Sequence, residues 1–308
     1  MTGPAPYPRD MIGYGATRPD PAWPGGARVA VQFVINYEEG GENNILHGDA
    51  ASEAFLSEIV SAQPIVGARH MNMESLYEYG SRIGVWRLLR LFSERGLPFT
   101  VFAVGMALER YPALAEAFVA AGGEIASHGY RWIDYQKLPE EIEAADLARA
   151  VEVQRAITGS RPLGWYLGRC SPNTHRLVAA EGGFLYNADS YADDLPYWDT
   201  AHPRPDGAAQ LIVPYTLDVN DMRFSTPAGF AQGEDFFTYL RDTFDQLHDE
   251  GAHSPAMMSV GLHCRLAGRP GRARALARFM DHVMQRGGAW VCTREAIARH
   301  WMATHPAG

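Results

Sequence analysis

The sequence predicts an α/β fold whose parallel sheet is curled into a (β/α) barrel. Three observations carry this. Apolar, β-rich runs alternate with amphipathic helical runs along most of the chain, the pattern of repeated βαβ units. Seven or eight such units can be counted, which favours a barrel. Polar, chemically capable residues cluster directly after the apolar runs, where a barrel of parallel strands carries its active site.

The first strand spans 29–36, set between Gly25-Gly26 and Gly40-Gly41. Residues 81–95 predict a helix, with Val85, Leu88, Leu89 and Phe92 at i, i+3, i+4 and i+7 and Gly96 as its stop. A strand at 99–104 and a helix at 113–121 lead to a short strand at 124–127. A helix fills 139–158, opened by Pro139 in its first turn and closed at Gly159. Strands follow at 163–167, 184–188 and 211–215. The helix at 234–249 is amphipathic through Phe236, Leu240, Phe244 and Leu247. A strand at 257–262 precedes a helix at 272–286 with Leu276, Phe279, Met280 and Val283 on one face. A strand at 289–292 and a helix at 294–301 complete the pattern. The connections 38–80 and 216–233 are long for a compact domain and suit lids or contact surfaces. The first is expected to hold a short helix near 52–61 and to wall the pocket. No Pro/Gly/Ser-rich linker divides the chain. It reads as one catalytic domain over 1–308, with an N-terminal extension at 1–27 and an inserted loop at 38–80.

Composition narrows the function. Lys and Arg number 27 against 36 Asp and Glu, a net charge of −9, so no basic nucleic-acid footprint is expected. No polybasic patch or long apolar run points to a membrane. The three cysteines, Cys170, Cys264 and Cys292, form no CxxC and no even set. That argues against a disulfide framework and fits a reducing, cytoplasmic compartment. Residues 1–15 lack the apolar core of a signal peptide.

The polar clusters are Asn36-Tyr37-Glu38-Glu39-Gly40, Ser127-His128-Gly129-Tyr130-Arg131-Trp132, Gly168-Arg169-Cys170, Asn187-Ala188-Asp189, Asp218-Val219-Asn220-Asp221 and Leu262-His263-Cys264-Arg265. Each alone is weak. A Glu pair is usually solvated, a lone His after a strand is more often structural, Asp189 suits a turn cap and Arg169 an ion pair. Together they are stronger, because a barrel converges them on one face.

In these runs the sequence resembles the polysaccharide deacetylase superfamily. Residues 36–40 look like its Thr-Phe-Asp-Asp-Gly motif, and 127–132 sit where it carries a Ser/Thr-His motif with a second His four residues on. Arg169 resembles its Arg-x-Pro motif, with the proline displaced to Pro172. Residues 189–198 loosely match its Asp/Trp motif, and Leu262-His263 its closing Leu-His motif. The resemblance runs from about residue 29 to the C-terminus and implies the distorted, NodB-like form of the barrel. It also implies an acid as general base, with a second acid and two histidines holding a divalent metal. Here Glu38 takes the base position, while Glu39 and His128 take ligand positions. Trp132 stands where the second His belongs, and an indole N–H cannot coordinate. Metal independence is favoured over a site rebuilt with His47, His175 or another group. These departures, with the runs 36–42, 47–49, 73–80, 127–135 and 261–266, strongly resemble the bacterial cofactor-independent allantoinases. That resemblance implies hydrolysis of the hydantoin ring of allantoin to allantoate in purine and ureide breakdown, without cofactor or metal, by a homotetramer.

The roles expected are therefore as follows. Glu38 is the general base. Glu39 and His128 position water or the ring, and His263 is the acid or oxyanion donor. Arg169 holds a carboxylate or a ring carbonyl, Trp132 walls the pocket, and Tyr215, Asn220 and Asp189 contact substrate. Trp132 serves equally well as plain core, and Tyr215 and Asn220 fit structural roles better than contacts. Rival readings are a metal-dependent deacetylase, a cyclic imide hydrolase, a thiol hydrolase using Cys170 or Cys264, and a catalytically dead binding scaffold. Against the thiol reading, both cysteines read as small buried fillers, and neighbouring His263 and Cys264 should face opposite sides of a strand.

Overall fold

The structure, a computed structural model, describes Tyr7 and residues 9–307. Among the described residues there are nine strands: β1 (Val29–Tyr37), β2 (Phe99–Ala103), β3 (Gly123–Ser127), β4 (Gly164–Trp165), β5 (Tyr186–Asn187), β6 (Tyr197–Asp199), β7 (Gln210–Ile212), β8 (Ala256–His263) and β9 (Ala289–Val291). They form one sheet in the order β6-β7-β5-β4-β3-β2-β1-β8, with β9 on the first half of β1. All pairs are parallel except β6 with β7. The eight-strand path curls into a half-barrel. A single parallel bridge between Asn220 and Gly261 brings the chain after β7 back to β8. Gly261 permits this approach, since a β-carbon there would overlap the Asn220 amide and the Tyr215 hydroxyl.

The helices are α1 (Met71–Tyr79), α2 (Val85–Arg95), α3 (Gly105–Arg110), α4 (Ala113–Ala120), α5 (Glu140–Thr158), α6 (Thr174–Glu181), α7 (Gly233–Glu250), α8 (Pro270–Arg286) and α9 (Arg294–Thr304). Alternation along the strands sorts the core into layers. Phe33, Ile35 and Tyr37 of β1 face the outer helices and pack with Phe92, Phe99 and Phe279. Ala30 and Val34 face the curl with Phe102, Tyr166, Tyr186 and Tyr215. β1 and β8 are buried along their whole length, which explains their near-continuous apolar runs. The interior also holds a buried polar layer. Arg294 donates to Gln32 Oε1 at 2.9 Å, to Ser259 Oγ at 2.8 Å and to the carbonyls of Val213 and Pro214.

Several expectations need correction. Residues 52–61 form bends and a turn, not a helix. Glu53 Oε1 takes the N–H groups of Ala54 and Phe55, and Leu56 and Ser61 adopt positive φ, so the backbone is committed elsewhere. The expected helix at 81–95 is α-helical only from Val85, after a π-helical turn over Gly80–Gly84 that joins it to α1. Gly84 belongs there because a β-carbon would overlap the Cys264 carbonyl. Helices α1, α3 and α6 and edge strand β6 were not anticipated. Strands β4 and β5 are only two residues each.

Candidate active site

The alternation that sorts the core also builds the site. Beyond β1, Glu38 continues the inward-facing series of Val34 and Asn36, while Glu39 continues the outward series of Tyr37. At the end of β8, His263 turns inward, and the next residue, Cys264, outward into the helix-facing core. The β1–β8 register sets Asn36 beside His263, so Glu38 arrives next to the imidazole. Ala103 pairs with Ser127 across β2 and β3, and the His128 N–H continues that ladder to the Ala103 carbonyl at 2.9 Å.

Glu38 stands between the two histidines. Its Oε1 lies 3.4 Å from His128 Nε2 and 3.3 Å from His263 Nε2. Its Oε2 accepts from Arg265 Nη2 at 2.6 Å. Burial pushes the Glu38 carboxyl up, but Arg265, His263 and the imidazole hydrogen bonds outweigh it and hold the group well below the usual carboxylate range. His263 is fixed from behind by Asp221, whose Oδ1 lies 2.6 Å from Nδ1. Asp221 Oδ2 accepts the backbone N–H groups of His263 and Ala267 at 2.7 and 2.8 Å. Burial pulls the His263 imidazolium down, yet Glu38 and Asp221 prevail and push it up to about 9. His128 Nδ1 lies 3.1 Å from the Tyr166 carbonyl. A carbonyl can only accept, so Nδ1 carries a hydrogen and Nε2 is the nitrogen turned to Glu38.

Of these groups, Glu38, His128 and His263 line a cavity of about 160 Å³. Asn36, Trp132, Arg169, Tyr215 and Asn220 line it too, with Phe55 and Leu56 from the long 38–80 connection. That connection therefore walls the pocket, as expected. The Arg169 guanidinium lies 3.9 Å over the Trp132 ring, and Phe55 stacks on Trp132 at 6.0 Å. Arg169 also pairs with Glu53 at 3.3 Å. Tyr215 and Asn220 line the cavity, but their hydrogen bonds are internal. Tyr215 receives the Asn36 and Asn220 amides, and Asn220 Oδ1 caps the 3-10 turn Asp221–Ser225.

Two expected residues do not line the cavity. Asp189 spends its carboxylate on the N–H groups of Leu167 and Gly168, shaping the strand end that leads to Arg169. Glu39 sits on the outer face, 3.6 Å from Arg265 Nη1 and packed on Gly80. Burial raises its carboxyl despite Arg265. Sequence reasoning gave no role to Arg265 or Asp221, although both stood inside the runs it singled out. Burial pushes the Cys170 and Cys264 thiols up, which suits fillers and not nucleophiles.

The residues present do not fit a divalent ion. Glu39 and His128 lie on opposite faces of the sheet end, and Trp132 offers no lone pair. Among the described residues, no three His, Cys, Asp or Glu donor atoms in this cavity lie within 4.8 Å of one another. A fixed cation, Arg265, already stands between the two acids, stacked on Tyr77 at 4.1 Å.

A polysaccharide deacetylase family model matches residues 73–183. A Schizosaccharomyces pombe protein named as a polysaccharide deacetylase is 44% identical over 97% of this chain and 98% of its own. The crystal structure of PuuE allantoinase superposes with a TM-score of 0.96 at 58% identity, covering 99% of this chain and 100% of that one. A crystal structure named for a polysaccharide deacetylase of Pseudomonas aeruginosa PAO1 also gives 0.96 at 58% identity, covering 98% and 100%.

Proposed function

The chain belongs to the polysaccharide deacetylase family, and within that family we propose that it hydrolyses a small cyclic amide, opening the hydantoin ring of allantoin to allantoate without a metal. The observation that carries this reading is the buried Glu38, held between two imidazoles and backed by Arg265, in a cavity of only about 160 Å³. Ligand pockets more often measure roughly 300–1,000 Å³, so this one suits a flat molecule of few atoms better than a sugar chain. The similarity to PuuE allantoinase supports the same reading.

In the proposed reaction, Glu38 Oε1 takes a proton from a water whose other hydrogen is accepted by His128 Nε2. The hydroxide oxygen attacks the ring carbonyl. The His263 Nε2–H, maintained by Asp221, hydrogen-bonds the departing ring nitrogen and delivers its proton as the C–N bond breaks. The ring nitrogen lies between two carbonyls and leaves as a delocalised ureide. Less electrophilic help is needed than in expelling a sugar amine, which lessens the call for a Lewis acid. Trp132 and Phe55 offer a flat wall for the ring, with Arg169 above the indole. The reading carries with it a cytoplasmic homotetramer acting in purine and ureide breakdown. No described helix is long and apolar enough to cross a membrane.

A second reading, removal of an N-acetyl group from a sugar, is favoured by the deacetylase names of two relatives. One experiment separates them. The purified protein is incubated with allantoin, a cyclic imide and N-acetylglucosamine oligomers, and the ring-opened product and acetate are measured. Allantoate from allantoin supports the proposal. Acetate release without allantoate overturns it.

A further inference from the structure

Away from the cavity, three side chains from two segments meet beside the antiparallel edge of the sheet. They are His175 on α6, Asp199 at the end of β6 and His202 just beyond it. His175 Nδ1 lies 3.8 Å and His202 Nδ1 2.8 Å from the same oxygen, Asp199 Oδ2. All three donor atoms lie within 4.8 Å of one another. The rings are 5.9 Å apart and tilted by 50°, so they do not stack.

Two of the three groups are oriented from behind. His175 Nε2 lies 2.9 Å from the Asp189 carbonyl. That carbonyl can only accept, so Nε2 carries a hydrogen and Nδ1 is the nitrogen turned toward Asp199. Asp199 Oδ1 accepts the Ala201 N–H at 2.8 Å, leaving Oδ2 for the imidazoles. A histidine that donates its far nitrogen to a carbonyl, beside a carboxylate held by a backbone N–H, is how proteins aim metal ligands. The side chains are 30%, 14% and 38% exposed, which leaves a path for an ion and room for water ligands.

We propose that His175, Asp199 and His202 bind a divalent transition ion of the zinc class, at a site separate from the catalytic cavity. Two nitrogens and one oxygen suit zinc, with water completing the shell. Bonds of about 2.0–2.2 Å require His175 to close on Asp199 and His202 to release the proton it shares with Oδ2. The ion braces the wall of the catalytic cavity through Asp189. That residue receives His175 on its carbonyl and holds the N–H groups of Leu167 and Gly168, next to Arg169, on its carboxylate.

The test uses the full chain, stripped with chelator and titrated with zinc by calorimetry and with cobalt by visible absorption. The expected result is one equivalent bound per chain, a raised thermal midpoint and cobalt bands typical of nitrogen–oxygen ligation. His202→Ala removes a half-exposed ligand, and Asp199→Asn keeps the shape while losing the charge. Each should weaken binding about tenfold or more, whereas His128→Asn, in the catalytic cavity, should bind as wild type does. Absence of binding, wild-type affinity in both His202→Ala and Asp199→Asn, or loss of binding in His128→Asn alone would each overturn the proposal. The readout is binding and not turnover, so it stands or falls independently of the reaction proposed above.

Discussion

Glu38 and Arg265 lie 227 positions apart in the sequence and 2.6 Å apart in the fold, each about 1% exposed. A charged pair this deep is costly to desolvate and more costly to break, because the survivor stays buried without a partner. Arg265 thus supplies a permanent positive charge beside the acid proposed as base, in a family whose motif implies a cation near that place.

Arg265→Met is expected to destabilise the fold by about 3–5 kcal/mol, the usual cost of orphaning a buried charge. It should also move the acid limb of the pH–rate profile upward, since burial then raises the Glu38 carboxyl with less opposition. Arg265→Lys should recover part of both. Denaturant melts and a pH profile of kcat/KM provide the check. An unmoved acid limb in a folded Arg265→Met protein would show that the guanidinium does not govern the base.

Glu38→Gln should keep the circular dichroism spectrum and lower turnover by roughly 10²–10⁴-fold, the usual worth of general acid–base catalysis. An amide cannot take a proton from water. Near wild-type turnover in this variant would mean that another group, His128 first, is the base.

The alkaline limb of the profile is expected near pH 9, where the His263 imidazolium loses its proton. Asp221→Asn removes one of the charges that raise this group, so the limb should move to lower pH. Stability follows the same direction. The folded value lies above the ordinary 6.5, so the stabilisation from charged His263 is complete below pH 6.5 and is lost as pH rises toward about 9. In Asp221→Asn that loss should start from the same pH but be smaller and complete at a lower pH, measurable as thermal midpoint against pH.

Brief chelation well below the melting temperature should leave ring opening largely unchanged. Trp132→His restores the His-x-x-x-His spacing from His128, but it removes the ring on which Arg169 and Phe55 stack, and should lower turnover. Activity abolished by chelation and restored by metal would return the chain to metal-dependent chemistry.

What could be read from the sequence follows the strength of local signals. Long, buried β1 and β8 and the amphipathic α2, α7 and α8 stand out as runs or stripes. Helix α1 does not, because only Met73 and Tyr77 of its nine residues are buried. Strands β4 and β5 fall inside the runs expected at 163–167 and 184–188, but at two residues each they are shorter than those runs. Glu38, His128, Trp132, Arg169 and His263 were legible because each stands in a recognisable run, and all five line one cavity. Arg265 and Asp221 were not given roles. An arginine or aspartate in a loop is ordinarily solvated, and only the curl of the sheet reveals that these two are buried. The outward turn of Glu39 follows from strand alternation, yet the paired-acid motif drew both glutamates toward one site.

The β1–β8 register has a consequence for refolding. Asn36 is matched to His263, and that match alone delivers Glu38 to the imidazole. A slip of one residue would turn one strand's faces over and send acid and imidazole to opposite sides of the sheet. A misthreaded chain could regain most of its secondary structure and remain inert. Recovered turnover after dilution from denaturant therefore counts the correctly threaded molecules, and any shortfall against the recovered ellipticity measures the fraction caught out of step.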